Sequence, residues 1–218
     1  MHARWNDRRG IALLVLMTLA VSLGHGVVRV SGALGAESTA VRSHVFSVKD
    51  SPGYVPLVDP ESSSVALGRR LHAPLVRETF TGGATSMRGL VQRILHHLHR
   101  NQDDSLQALC VDDFEFRRIL WREFPQSRPA TGLQWVDAWK ILGARLHAGC
   151  VHAVRDHGGH VYTLVSVKAD TVQQFRNFRL HRGMHIVVRS DEGQTLDMVW
   201  LRTVAERRGR FKIYSTED

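Results

Sequence analysis

The sequence predicts an α+β protein in which about three helices pack on one face of a four-stranded antiparallel sheet. Apolar residues recur at helical spacing from Leu90 to Leu146, and at Gly158-Gly159 the period changes from 3.6 to 2. Asp191-Glu192-Gly193 and Arg208-Gly209 are placed to turn consecutive strands into hairpins. Helices first and hairpin-linked strands afterwards put the helices on one face of the sheet.

The N-terminus reads as an address. Arg4, Arg8 and Arg9 precede an apolar run from Ile11 to Leu23 that is short for a membrane span. Residues 1–36 are expected to be a secretory signal peptide, or a signal-anchor if uncleaved, with small residues at Gly24/Gly26, Ser31/Ala33 and Ala33/Gly35 as cleavage sites. Arg8-Arg9 resembles a twin-arginine signal, but Sec-type export is the preferred reading. The expected location is periplasmic or extracellular; the alternative is anchorage in the membrane through this segment. Residues 37–83 read as a flexible arm, either a tether or a wrapping segment, because four of the six prolines and the run Ser62-Ser63-Ser64 lie here. A short strand over Val41–Val48 and a helical turn over Val65–Leu71 are its only expected elements.

Residues 84–218 are expected to form the α+β domain. Leu90, Val91, Ile94, Leu95 and Leu98 make an amphipathic helix that ends by Asn101. Asp103 or Asp104 caps a segment Leu106–Val111, and Asp112 with Glu115 makes a capping box that opens the next helix, up to Trp121. Pro125 and Pro129 then forbid continuation, since proline lacks an N–H and disfavours helix at the residue before it. The resulting elbow carries Trp121, Glu123 and Arg128, either as the rim of a cavity or as a connector whose tryptophan packs down. Trp135, Ala138, Trp139, Leu142 and Leu146 make the stripe of a third helix, running to about Ala153. Four strands follow, with inward residues Val161, Thr163, Val165, Val167 and Ala169; Phe178, Leu180, Met184, Ile186 and Val188; Leu196, Met198, Trp200 and Val204; and Phe211 and Ile213.

Composition narrows the function classes. The chain has 218 residues, 43% hydrophobic, and a formal charge of +8. Removal of everything before Glu37 takes four arginines and one aspartate from 29 basic and 21 acidic residues, which leaves +5. The remaining cations are spread among acids, so no nucleic acid is expected as a partner. Cys110 and Cys150 are the only cysteines; they either pair or serve as small buried hydrophobes, and their spacing fits neither a C-x-x-C nor a zinc motif.

The order of elements over residues 84–216 resembles the nuclear-transport-factor-two-like, SnoaL-like, cystatin-like cone. That resemblance implies a curved sheet closed by helices around a pocket, a cone-like roll. The elbow Leu120-Trp121-Arg122-Glu123-Phe124-Pro125, the strand Phe178-Arg179-Leu180-His181-Arg182 and the ending Gly209-Arg210-Phe211-Lys212-Ile213-Tyr214 are also similar to an uncharacterised family of exported bacterial proteins. The cone hosts isomerases, dehydratases, cyclases and binding domains, so function must come from the site.

Arg182 shares parity with Leu180 and Met184, and Arg202 interrupts Trp200 and Val204 in the same way. Two inward arginines would bind an anion through paired hydrogen bonds. The preferred reading sends Arg182 to solvent through a β-bulge at Gly183 and leaves Arg202 near the rim. Of the 13 histidines, His96, His97 and His99 do not converge, while His181 and His185 share a strand face beside arginines that oppose a metal ion. No metal site and no cofactor are expected. For acid–base chemistry the candidates are Glu123 and Asp137.

The expected protein is an exported, non-catalytic module that binds a small ligand or a protein partner. Trp121, Arg128, Trp139, Arg182 and Trp200 are its proposed ligand-facing residues. The alternative is a cofactor-independent isomerase or hydrolase with Glu123 or Asp137 as base. A homodimer in which a second copy covers Trp200 is a further possibility, and membrane contact is expected only through an uncleaved N-terminal segment.

Overall fold

A computed structural model of the chain describes Pro52 and residues 59–217. The expected signal and the strand over Val41–Val48 lie outside the described residues. Residues 59–217 fall within the unit Val55–Asp218 and are α+β, with a five-stranded antiparallel sheet and its helices toward the N-terminus.

The helices are α1 (Ser63–Leu67), α2 (Met87–His99), α3 (Asp103–Gln107), α4 (Asp113–Glu115) and α5 (Trp135–His157). Ser86 caps α2 by accepting the Gly89 N–H at 3.0 Å, a contact worth about 1 kcal/mol. Leu90, Val91, Ile94, Leu95 and Leu98 are all buried. Both bonds of the Asp112–Glu115 capping box form, at 2.7 and 3.1 Å. The helix it opens widens into a π turn at Phe116–Leu120 and then tightens into 3₁₀ turns at Trp121–Glu123, Pro125–Ser127 and Pro129–Thr131. α3 stops at Gln107, earlier than the expected Val111, because Leu109 and Val111 bond to the last strand instead: the Leu109 carbonyl accepts from Ile213 N, and Val111 N donates to Ile213 O, both at 2.9 Å.

The strands are β1 (Tyr162–Gln174), β2 (Arg179–Ser190), β3 (Thr195–Met198), β4 (Leu201–Arg207) and β5 (Arg210–Thr216). The expected third strand is broken at Val199-Trp200. Its halves β3 and β4 pair in line along β2, through Ile186–Arg189 and Arg179–Arg182 respectively, which gives five strands in place of four. In β1 a bulge between Leu164 and Ser166 inverts the parity. Tyr162 and Leu164 therefore face the core before the bulge and Val167 and Ala169 after it, while Val161 and Val165 are exposed, contrary to a single inward stripe.

One core lies between α2, α5 and the sheet and contains Leu90, Ile94, Leu146, Ile186, Trp200 and Ile213. A second gathers the elbow, the end of the arm and the β1–β2 turn. There Phe175 and Phe178 stack at 4.4 Å, and Phe124 meets them at 5.6 and 5.9 Å.

Residues 59–83, the described part of the expected arm, are tied down at many points. Arg207, 3% exposed, donates to the carbonyls of Val76, Glu78 and Asn177. Asn177 in turn accepts Val76 N at 2.9 Å and donates to Pro74 O at 2.9 Å. Arg70 holds Glu61 through two bonds of 2.6 Å. Such a strap satisfies its own backbone by borrowing side chains of the domain, which is why hydropathy alone does not reveal it.

Candidate functional site

Where α5 passes the α3–α4 connection and β5, it leaves a cavity of about 350 Å³ lined by Gln107, Cys110, Asp112, Trp139, His147 and Lys212, among others. Its walls follow from local geometry. Trp139 is half-buried with its ring 5.5 Å from that of Phe116. Gly143, one turn on, leaves space over that ring; a Cβ there would approach it at 3.4–3.7 Å. Asp112 is held by its capping box, and Cys110 by the bridge to Ile213.

Two features set the electrostatics. Lys212, 3% exposed, forms an ion pair with the wholly buried Glu115 at 2.8 Å and donates to the Thr81 carbonyl at 3.1 Å. The charges of that pair cancel, so Asp112 leaves the wall with no excess of cations and no attraction for an anion. The second feature is Gln107, whose amide nitrogen is buried with no hydrogen-bond partner among the described residues. A buried donor left unpaired costs roughly 1–3 kcal/mol. At the same wall the hydrogen bond to Cys150, and then burial, push the Cys110 thiol well above its ordinary value.

Of the proposed ligand-facing residues and candidate bases, Trp139 alone lines this cavity. Trp121 is half-buried against Phe116, 5.8 Å between rings. Arg128 pairs with Asp59 and donates to the Pro125 carbonyl at 2.7 Å, so it fastens the strap. Trp200 is 8% exposed in the core of its own chain. Arg182 is exposed, but by another route than a bulge, since the register from Arg182 opposite Thr171 to Met184 opposite Ala169 is unbroken. Gly183 itself has φ 65°, and a Cβ there would strike the Asp170 carboxylate. Arg202 pairs at the surface with Glu217.

The two carboxylates considered as bases are committed or remote. Glu123 is wholly buried, and its two oxygens accept the backbone N–H groups of Arg176 and Asn177 at 2.5 and 2.7 Å. Asp137 is exposed, 3.6 Å from Lys140. Among the described residues no group of three or more His, Cys, Asp or Glu is placed to hold a metal ion, and no helix is long and apolar enough to cross a membrane.

Gln107 and Lys212 escaped sequence reasoning. Lys212 alternates out of phase with Phe211 and Ile213, which marks it as solvent-facing until Glu115 and the end of the strap are seen to cover it. The usable signal was a pair of opposite charges each flanked directly by apolar residues, Glu115 between Phe114 and Phe116 and Lys212 between Phe211 and Ile213. No protein-family model, curated protein or solved structure matches the chain.

Proposed function

We propose that the chain is an exported, non-catalytic binding module of cone-like fold whose ligand is a small uncharged molecule, flat enough to lie on Trp139 and carrying a carbonyl or amide. The observation that carries this reading is Gln107 on the wall of a cavity beside Trp139, with its buried amide nitrogen unpartnered among the described residues and brought to a ligand by a turn of the side chain. Cavities of a few hundred Å³ with apolar walls and few polar groups are the usual form of small-molecule sites. The balance of charge selects against an anion, because Lys212 is already neutralised by Glu115. An isomerase or hydrolase reading has less support, since Glu123 spends both oxygens on backbone N–H groups and Asp137 lies at the surface.

The test is a thermal-denaturation series on the full chain with three ligands that share one ring: benzamide, benzoate and benzylamine. Benzamide is expected to raise the midpoint most, and Gly143→Leu, which fills the space over Trp139, to remove the effect. A larger shift with benzoate would overturn the charge argument, and no shift with any of the three would overturn the binding reading.

A further inference from the structure

We infer that Cys110 and Cys150 are an oxidisable pair that closes into a disulfide, stapling α5 to the segment that runs beside β5. Both cysteines are free thiols, and their sulfurs stand 3.7 Å apart. A disulfide requires about 2.05 Å, so the remaining approach is within the reach of side-chain rotation. Their backbones are fixed at this separation. Leu109 and Val111, on either side of Cys110, are both bonded to Ile213 at 2.9 Å. Next to Cys150, Gly149 lets α5 lie directly on Thr216, since a Cβ there would collide with that side chain. Among the described residues the pair's other hydrogen bond runs from the Cys110 thiol to the Leu106 carbonyl at 3.7 Å.

The two cysteines differ in access. Cys110 belongs to the cavity wall, whereas Cys150 is fully buried behind it. An external disulfide, such as oxidised glutathione, therefore meets Cys110 first. The Cys110 thiol, which Cys150 and burial hold against ionisation, loses its proton in the slow step and attacks one sulfur of that disulfide, which breaks its S–S bond and releases one thiol. Cys150 Sγ, after loss of its own proton, then attacks the Cys110 sulfur and displaces the second thiol. Two protein thiols are oxidised and one external disulfide is reduced to two thiols, so the step balances.

The test uses the full wild-type chain incubated with oxidised glutathione, denatured in an alkylating agent and weighed intact. The expected result is the loss of two hydrogens with no alkylation and no retained glutathione. The melting midpoint should rise by roughly 10 °C, as for a loop of this length, and fall back with dithiothreitol. Cys150→Ala should keep glutathione on Cys110 and lose the redox-dependent shift. Two alkylated thiols, glutathione on both cysteines, or a covalent dimer in the wild type would overturn the inference.

Discussion

Lys212 and Glu115 meet at 2.8 Å in a place that leaves them 3% and 0% exposed, and between them they join three separate parts of the chain. Glu115 also accepts Thr81 N at 2.7 Å, from the end of the strap, and Asp112 N at 3.1 Å, from its own capping box. Lys212 comes from β5. A buried ion pair contributes little by itself to stability, but removal of one partner strands the other in a poor solvent.

That asymmetry gives the first prediction. Lys212→Met should cost roughly 3–5 kcal/mol in urea denaturation. Glu115→Leu should cost more, because it strands the Lys212 ammonium and the N–H groups of Thr81 and Asp112 together. Equal costs, or costs below about 1 kcal/mol, would show that the pair is not the junction described.

Two glycines of α5 should respond with opposite signs. At Gly143 a Cβ meets only the Trp139 ring, at ordinary contact distance, so Gly143→Ala should stabilise by about 0.5–1 kcal/mol through helix propensity. At Gly149 a Cβ would run into the side chain of Thr216, and Gly149→Ala should destabilise by roughly 1–3 kcal/mol. Chemical denaturation of both variants checks the predicted line of contact between α5 and β5.

The strap should loosen in acid. The hydrogen bond from Arg70 holds the Glu61 carboxyl below its ordinary value, and a backbone N–H with Arg118 does the same for Glu78. Groups with depressed folded pKa values contribute stability that is present above the unfolded value and lost as pH falls through the folded one. Amide hydrogen exchange over residues 61–78, corrected for intrinsic rate, should therefore accelerate as pH falls below about 4, ahead of α2. Exchange that stays level with α2 would mean that these pairs do not pin the strap.

Much of the fold was legible because its causes are local. The stripe of α2, the capping box of Asp112 and Glu115, and the Gly158-Gly159 stop of α5 each depend on residues within a turn or two. The errors came from long-range causes. The bulge at Val165 and the break at Val199-Trp200 are imposed by partners on β2, and nothing in their own neighbourhoods announces them. The site suffered most. Trp121, Arg128 and Trp200 stood out as side chains, but each is consumed by packing or by the strap, whereas Gln107 and Lys212 became notable only once the α3–α4 connection was seen to pair with β5.

A nuclear magnetic resonance titration of the full chain with benzamide tests the proposed binding role most directly. Saturable shifts of the Gln107 side-chain amide and the Trp139 indole N–H, with Trp121 and Arg182 unmoved, are the predicted result. No saturable shift at Gln107 and Trp139, or shifts centred on Trp121 and Arg182, would contradict the assignment of the cavity as the site.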